Sequence, residues 1–325
     1  MRSAVFNSFG DPSSVLKIED SPMPDPGPGK VRVKTILSPI HNHDLMTISG
    51  QYGYKPAFPA IAGSEGVGTI DALGEGVQGL GVGQRISVAG AHGVWAECFI
   101  ADAHTVVPVP DKITDESAAQ LIGMPLSAMF LLNFVEAKAG QWIVQNAATG
   151  AVAKALAMAA QAKGINVINL VRHRDSVAAL SSLGIRNAVS TDQDDWRQAV
   201  QNIVGGNPIA VAIDGVAGVA SSDLLSLLAE KGVLVSFGAM SGKPMEIPPS
   251  DLVFRQALVK GFWFSKLLQT MPPNEIGAAI GELLGLVEND VIRLQVDAIF
   301  ELDQVAEAVR ANAAPSRQGK VLLRL

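Results

Sequence analysis

The stretch SPIHNHDLMTISGQYGYKPAFP, residues 38–59, holds five side chains that could do chemistry: His41, His43, Asp44, Tyr52 and Tyr54. His41 and His43 are one residue apart, so on an extended segment they point the same way and with Asp44 offer the donor types of a divalent metal site. No further ligand is evident nearby, and Glu65, His92 and His104 could join only through a contact made by the fold. A phenol offers different chemistry, since a neutral donor can stabilise an oxyanion or supply a proton beside it. Between a metal site and a polar loop, the spacing favours the loop.

A second constellation begins at QWIVQNAATGAVAKALAMAAQAKG, an apolar strand, a turn and an Ala-rich helix closed by Gly164. Helix N-terminal amides carry partial positive charge and suit a dinucleotide pyrophosphate. The glycine pattern usual for such a turn is reduced to Gly150, with Ala151 and Ala153 where glycines are expected. At the end of the next strand, LVRHRDS carries Arg172 and Arg174 and has no carboxylate before Asp175. NAD-binding chains place an acid there for the ribose hydroxyls, whereas two guanidinium groups suit a 2'-phosphate. Cations are disfavoured at the positive end of a helix, so a bound anion is the more economical account, and NADPH is the expected cofactor.

The elements that must position these groups fall into two patterns. PGPGKVRVKTI alternates Val31, Arg32, Val33 and Lys34 as a half-buried strand does. The glycine density of GSEGVGTIDALGEGVQGLGVGQRISVAG excludes a helix and fits a compact β-barrel with tight corners, so a β-rich domain is expected to about residue 115. Strand and helix then alternate: INVINLV, DSVAALSSLG, IAVAID, SSDLLSLLAEKG and VLVSFG. This predicts a doubly wound α/β sheet. AAQLIGMPLSAMFLLNFV, residues 118–135, is uncharged, but Gln120, Pro125, Ser127 and Asn133 suit a buried helix better than a membrane span.

With 325 residues, 48% of them hydrophobic and 17% charged, the chain can bury the cores of two domains. A net charge of −6 with no basic run argues against nucleic acid as a partner. The single cysteine, Cys98, cannot form an internal disulfide or a cysteine-cluster zinc site. MRSAVFNSFG shows neither a secretory nor an Arg-rich presequence, and a cytoplasmic protein is expected.

A β-rich domain, a doubly wound domain and a final strand GKVLLRL together resemble the medium-chain dehydrogenase/reductase superfamily over the whole chain. The resemblance implies a GroES-like catalytic domain at 1–118 and 266–325 and a Rossmann domain at 119–265. Two ligand positions of its zinc-dependent members fall on His41 and on Ser64, a poor zinc ligand, so no metal is expected. ISGQYGYKPAFPAIAGSEGVG, GVWAECF, VQNAATGAVAKA, INLVRHR, VSFGAM and VKGFWFSK resemble the mitochondrial-type trans-2-enoyl thioester reductases within it. The resemblance puts the catalytic tyrosine on Tyr52 of GQYG. It puts the pyrophosphate turn on Gly150, Ala151, Val152 and Ala153, and the adenosine phosphate on Arg172, His173 and Arg174. Phe237, Gly238, Ala239 and Met240 fall beside the nicotinamide half, Phe262, Trp263, Phe264 and Ser265 form an aromatic segment, and Lys320 is a C-terminal lysine near the cofactor.

Three departures stand out: His41-Asn42-His43-Asp44 in place of N-P-x-D, Met124 in place of an Asn before Pro125, and the two alanines of the phosphate turn. The implied activity is NADPH-dependent reduction of an enoyl thioester by a homodimer. The alternatives are zinc-independent reduction of a quinone or enone, and, in another class, NADPH binding without turnover as a sensor or structural protein.

Overall fold

In a computed structural model, the structure describes residues 1–314 and 317–325. The chain divides into two compact units, Met1–Gly123 with Leu294–Leu325, and Met124–Arg293. The return to the first unit comes later than the sequence reading placed it. The segment 266–293 carries the helix Pro273–Glu288, whose Glu282 pairs with Lys163 at 3.0 Å, while the Arg293 amide lies 3.5 Å from the Met158 sulfur, so this segment goes with the second unit.

The first unit is β-rich. At its centre runs the strand Lys30–Pro39, paired antiparallel with Glu65–Leu73, Cys98–Asp102 and Lys320–Arg324. Val31 and Val33 are fully buried, as the alternation predicts, and pack with Ile70, Ile86, Val88 and Phe99. Gly68 is required by close approach, because a Cβ there would collide with the Lys34 carbonyl of the facing strand. Val296–Glu301 extends this sheet in parallel beside Lys320–Arg324.

The second unit carries a parallel sheet. Its strands are β1 (Trp142–Gln145), β2 (Asn166–Val171), β3 (Ala188–Ser190), β4 (Ile209–Asp214), β5 (Val233–Ser236) and β6 (Leu258–Gly261). They lie in the order β3-β2-β1-β4-β5-β6, the Rossmann order, which reverses between β1 and β4. Helices follow β1 at Ala151–Ala162, β2 at Asp175–Ser182, β3 at Trp196–Val204 and β4 at Val219–Leu227. β3 and its helix were not read from the sequence: three residues are too few to show a period, and this helix is recognised by its buried Trp196, Val200 and Val204. No helix among the described residues is long and apolar enough to cross a membrane. The uncharged stretch 118–135 holds a helix of 12 residues, Gly123–Phe134.

Candidate active site

Three strand ends meet in the first unit. Pro39 pairs with Leu322 and Leu37 with Val67, so the chain leaving Lys30–Pro39 delivers His41 to the first residues of the two neighbouring strands, Glu65 and Lys320. All three side chains are buried. The Lys320 Nζ donates to His41 Nδ1 at 2.9 Å and to the Ile40 carbonyl at 3.3 Å, and His41 Nε2 lies 2.6 Å from Glu65 Oε2. An ammonium can only donate, so Nδ1 must accept, and the single proton of a neutral imidazole sits on Nε2 and is given to Glu65. Burial drives the His41 imidazole well below its ordinary range, and the positive charge of Lys320 adds to the effect. The 2.6 Å contact is therefore a hydrogen bond from a neutral ring, with Lys320 as the cation. The other oxygen of Glu65 accepts the amides of Ile122 at 2.8 Å and Gly123 at 2.7 Å. Burial pushes this carboxyl up to about 7, against the pull of those two amides and of Lys320 toward the carboxylate. A Cβ at position 123 would collide with the carboxylate, so Gly123 is fixed by this contact.

The segment 41–44 is not extended. His41 ends the strand and the helix Asn42–Ile48 starts after it, so the rings of His41 and His43 stack with centroids 4.9 Å apart and 16° between planes. Asp44 is buried; its Oδ2 accepts the His41 amide at 3.0 Å and its Oδ1 the Ser64 hydroxyl at 2.6 Å. The Ser64 Oγ lies 2.8 Å from His43 Nε2. The Tyr52 ring is 5.8 Å from that of His43, and its hydroxyl makes no hydrogen bond among the described residues. Tyr54 instead stacks on His92 at 4.4 Å.

Zinc does not fit this group. Both nitrogens of His41 are taken, one by an ammonium that would repel a metal cation, and Ser64 gives its proton to Asp44. Among the described residues, no three His, Cys, Asp or Glu side chains are placed to hold a metal ion. The segment is more than a polar loop, since it anchors two buried hydrogen-bond chains. Sequence reasoning grouped His41, His43 and Asp44 and left Glu65 to a contact made by the fold, but it did not join Glu65 and Lys320 to His41. The facing of two strand starts was the missing link.

In the second unit, the turn 146–150 leads from β1 into the helix Ala151–Ala162, with Gly150 exposed just before the helix, Ala151 and Val152 half-buried and Ala153 buried. Arg172, His173 and Arg174 follow β2 and are exposed. Arg174 donates to Gln193 Oε1 at 2.6 Å, while Arg172 makes no hydrogen bond or ion pair among the described residues. Phe237, Gly238, Ala239 and Met240 follow β5, and a Cβ at Gly238 would stand 2.9 Å from the Gly215 carbonyl, so the exits of β4 and β5 run very close. Phe262 is buried against Phe134 with ring centroids 5.4 Å apart, and Phe264 lies 5.8 Å from Phe130, so both are packing residues in part. Trp263 is 63% exposed and Ser265 is exposed. Phe262, Trp263, Phe134, Ser236 and Lys266 line one pocket. Of the residues expected at the cofactor, Lys320 and the catalytic candidate Tyr52 belong to the first unit, and the rest to the second.

Sequence reading missed a buried clamp at the point where strand order reverses. Asp214, the last residue of β4, accepts from Asn146 Nδ2 at 2.7 Å, the Val216 and Ala217 amides at 2.9 and 3.0 Å, and Ser221 Oγ at 2.6 Å. Asn146 in turn accepts the Gly215 amide at 2.8 Å. Polar residues at the ends of two apolar strands, QN at 145–146 and D at 214, were the available signal.

Residues 27–111 match the alcohol dehydrogenase GroES-like domain family and residues 151–282 the zinc-binding dehydrogenase family. The chain is 30% identical to the human mitochondrial enoyl-[acyl-carrier-protein] reductase over 99% of its own length and 88% of the relative's. A Bacillus thuringiensis protein assigned as an NADPH:quinone reductase superposes with a TM-score of 0.92 at 26% identity, covering 100% of this chain and 98% of that one. A mycobacterial protein solved in complex with NADPH gives 0.89 at 28% identity, covering 100% of both chains. The chain is an oxidoreductase built from a GroES-like and a Rossmann part. It belongs to the medium-chain dehydrogenase/reductase superfamily.

Replacing Glu65 by Gln tests the buried chain. The amide oxygen can still serve Ile122 and Gly123, but its NH2 then meets the His41 N–H donor to donor, and the carboxylate charge that offsets Lys320 is gone. Breaking a buried charge pair from one side costs about 3–5 kcal/mol. Urea unfolding at a pH above about 7, where Glu65 is ionised, should show Glu65→Gln destabilised by about 3 kcal/mol, and a change below about 1 kcal/mol would mean that the pair carries no charge.

Proposed function

We propose that this protein reduces the conjugated C=C bond of an enoyl thioester with NADPH, Tyr52 acting as the proton donor. The observation that carries the reading is Tyr52 itself. It lies in the segment that resembles the catalytic segment of the enoyl reductases, with its hydroxyl unengaged and its ring beside a hydrogen-bonded imidazole. Whole-length similarity to enoyl-[acyl-carrier-protein] reductases supports the same substrate class.

NADPH is the cofactor, and this chain's residues fit it. Gly150, Ala151, Val152 and Ala153 would hold the pyrophosphate at a helix start, and Arg172, His173 and Arg174 the 2'-phosphate. Phe237, Gly238, Ala239, Met240 and Phe262, Trp263, Phe264, Ser265 would hold the nicotinamide half, with Lys320 as a further contributor through its bond to His41. When bound, the cofactor supplies a hydride to the β-carbon of the acceptor. Tyr52 meets the charge that develops as enolate and passes its phenolic proton to the α-carbon. Quinone reduction is the second reading, favoured by the likeness to the Bacillus thuringiensis structure. Cytoplasmic residence is proposed from the free, buried Cys98, although the curated relatives are mitochondrial by name.

A homodimer is proposed from β6. This edge strand pairs only with β5 among the described residues, and its four residues are exposed, Leu258 and Val259 among them, as are Val253, Phe254 and Trp263 close by in sequence. An exposed apolar edge is a template for a second strand.

Three measurements follow from this reading. Replacing Arg172 and Arg174 by Ala should weaken NADPH by about tenfold or more relative to NADH, and equal losses in a binding titration would remove the arginines from phosphate recognition. Tyr52→Phe should lower thioester reduction by about 10²-fold with NADPH affinity unchanged and with Tyr54→Phe nearly silent; undiminished turnover would clear Tyr52 of any chemical part. Light scattering should give twice the chain mass for wild type and a shift toward the single chain for Val259→Lys, whereas a monomeric wild type would contradict the dimer.

A further inference from the structure

We infer that His43 is a second proton-transfer residue, held in place by Asp44 and Ser64, and that it carries a proton from solvent to Tyr52 in each turnover. The inference rests on the reductase reading above and deepens it.

The hydrogen-bond directions are fixed from the buried end. Asp44 can only accept, so the Ser64 hydroxyl gives it its proton at 2.6 Å and turns a lone pair toward His43. His43 Nε2, 2.8 Å away, must then be the protonated nitrogen of the neutral ring. Nδ1 is left as the basic nitrogen, with no hydrogen bond among the described residues. The ring is stacked on His41, itself held at both nitrogens, so His43 is oriented from its plane and from its edge. Its side chain is 32% exposed, which lets water reach it. Facing it are Asp44, with Oδ1 3.7 Å from Nε2, the neutral ring of His41 with Glu65 and Lys320 behind it, and Tyr52. An imidazole oriented by a hydroxyl that is oriented by a carboxylate has the arrangement of a positioned base.

The proton balance closes. Hydride adds to the β-carbon, the π pair moves to the thioester oxygen, and the α-carbon then takes H⁺ from Tyr52 Oη, forming a C–H bond and breaking the O–H bond. The neutral His43 ring takes H⁺ from solvent at Nδ1, and the phenolate left on Tyr52 then takes that H⁺ from Nδ1, which returns the ring to its neutral form. The sum is one hydride from the cofactor and one proton from solvent.

The test uses the full chain with NADPH and crotonyl-CoA. His43→Gln should lower kcat by about tenfold to 10²-fold, with NADPH affinity and the urea midpoint unchanged. Ser64→Ala, which removes the orienting hydroxyl, should show a smaller fall of the same kind. His43→Ala should regain part of its rate when imidazole is added, while Tyr52→Phe should regain none. A kcat for His43→Gln within about threefold of wild type, or a slow His43→Ala that imidazole does not speed, overturns the assignment. A wild type that leaves crotonyl-CoA untouched but reduces a quinone sinks the thioester reading alone. The same variants are then scored on the quinone, whose reduced anion also needs a proton, and unchanged rates there overturn His43. A wild type inactive on both overturns both.

Discussion

The buried carboxyl of Glu65 and the buried ammonium of Lys320, joined through one neutral imidazole, hold the first unit's chemistry in place. Glu65, His41 and Lys320 are far apart in sequence and sit at three strand ends, so the chain Glu65–His41–Lys320 forms only when the central strands have found their register. Each charge alone would be costly to bury, and the hydrogen bonds through His41 offset part of that cost. The same chain leaves neither nitrogen of His41 free for zinc. Where a zinc enzyme would place a cation among its ligands, this protein places the ammonium of Lys320 against the nitrogen of His41. Positive charge at that point is thus built into the sequence.

Several features follow from that anchor. His41 is immobilised at both nitrogens and at its amide, and it offers a flat surface on which His43 stacks. Asp44, which caps the His41 amide, uses its other oxygen to orient Ser64 and through it His43. The backbone at Ile122 and Gly123 is drawn to Glu65, and no side chain is tolerated at Gly123. In the second unit an analogous restraint acts at the reversal of strand order, where Asp214 and Asn146 tie the exits of β4 and β1 together. A Rossmann sheet holds ligands outside these strand ends, and a satisfied buried carboxylate there keeps the turns from sagging without exposing charge.

Much of the fold was legible because its periods are long and clean. IAVAID coincides with β4, and the alternation after PGPG gives the central strand with Val31 and Val33 inside. The position of Arg172 and Arg174 after β2 was legible because it is set by local order alone. The hydrogen-bond chains were not. Nothing in HNHD or GSEG announces that His41 meets Glu65 or that Ser64 lies between Asp44 and His43, since both contacts depend on register between strands. The late return to the first unit was hidden for a similar reason: the helix Pro273–Glu288 is amphipathic in any setting, and its partner is chosen by packing.

The account's central claim is that hydride and proton are added across a conjugated C=C bond of a thioester, with the proton delivered by side chains from solvent. It is tested most directly by locating both hydrogens in the product. Crotonyl-CoA would be reduced once with NADPH deuterated at the transferable C4 position in H2O, and once with ordinary NADPH in D2O, and the butyryl-CoA read by NMR. The account predicts cofactor deuterium at C3 only and solvent deuterium at C2 only. Cofactor label at C2, or the absence of any butyryl-CoA from a preparation that oxidises NADPH with a quinone, would contradict it.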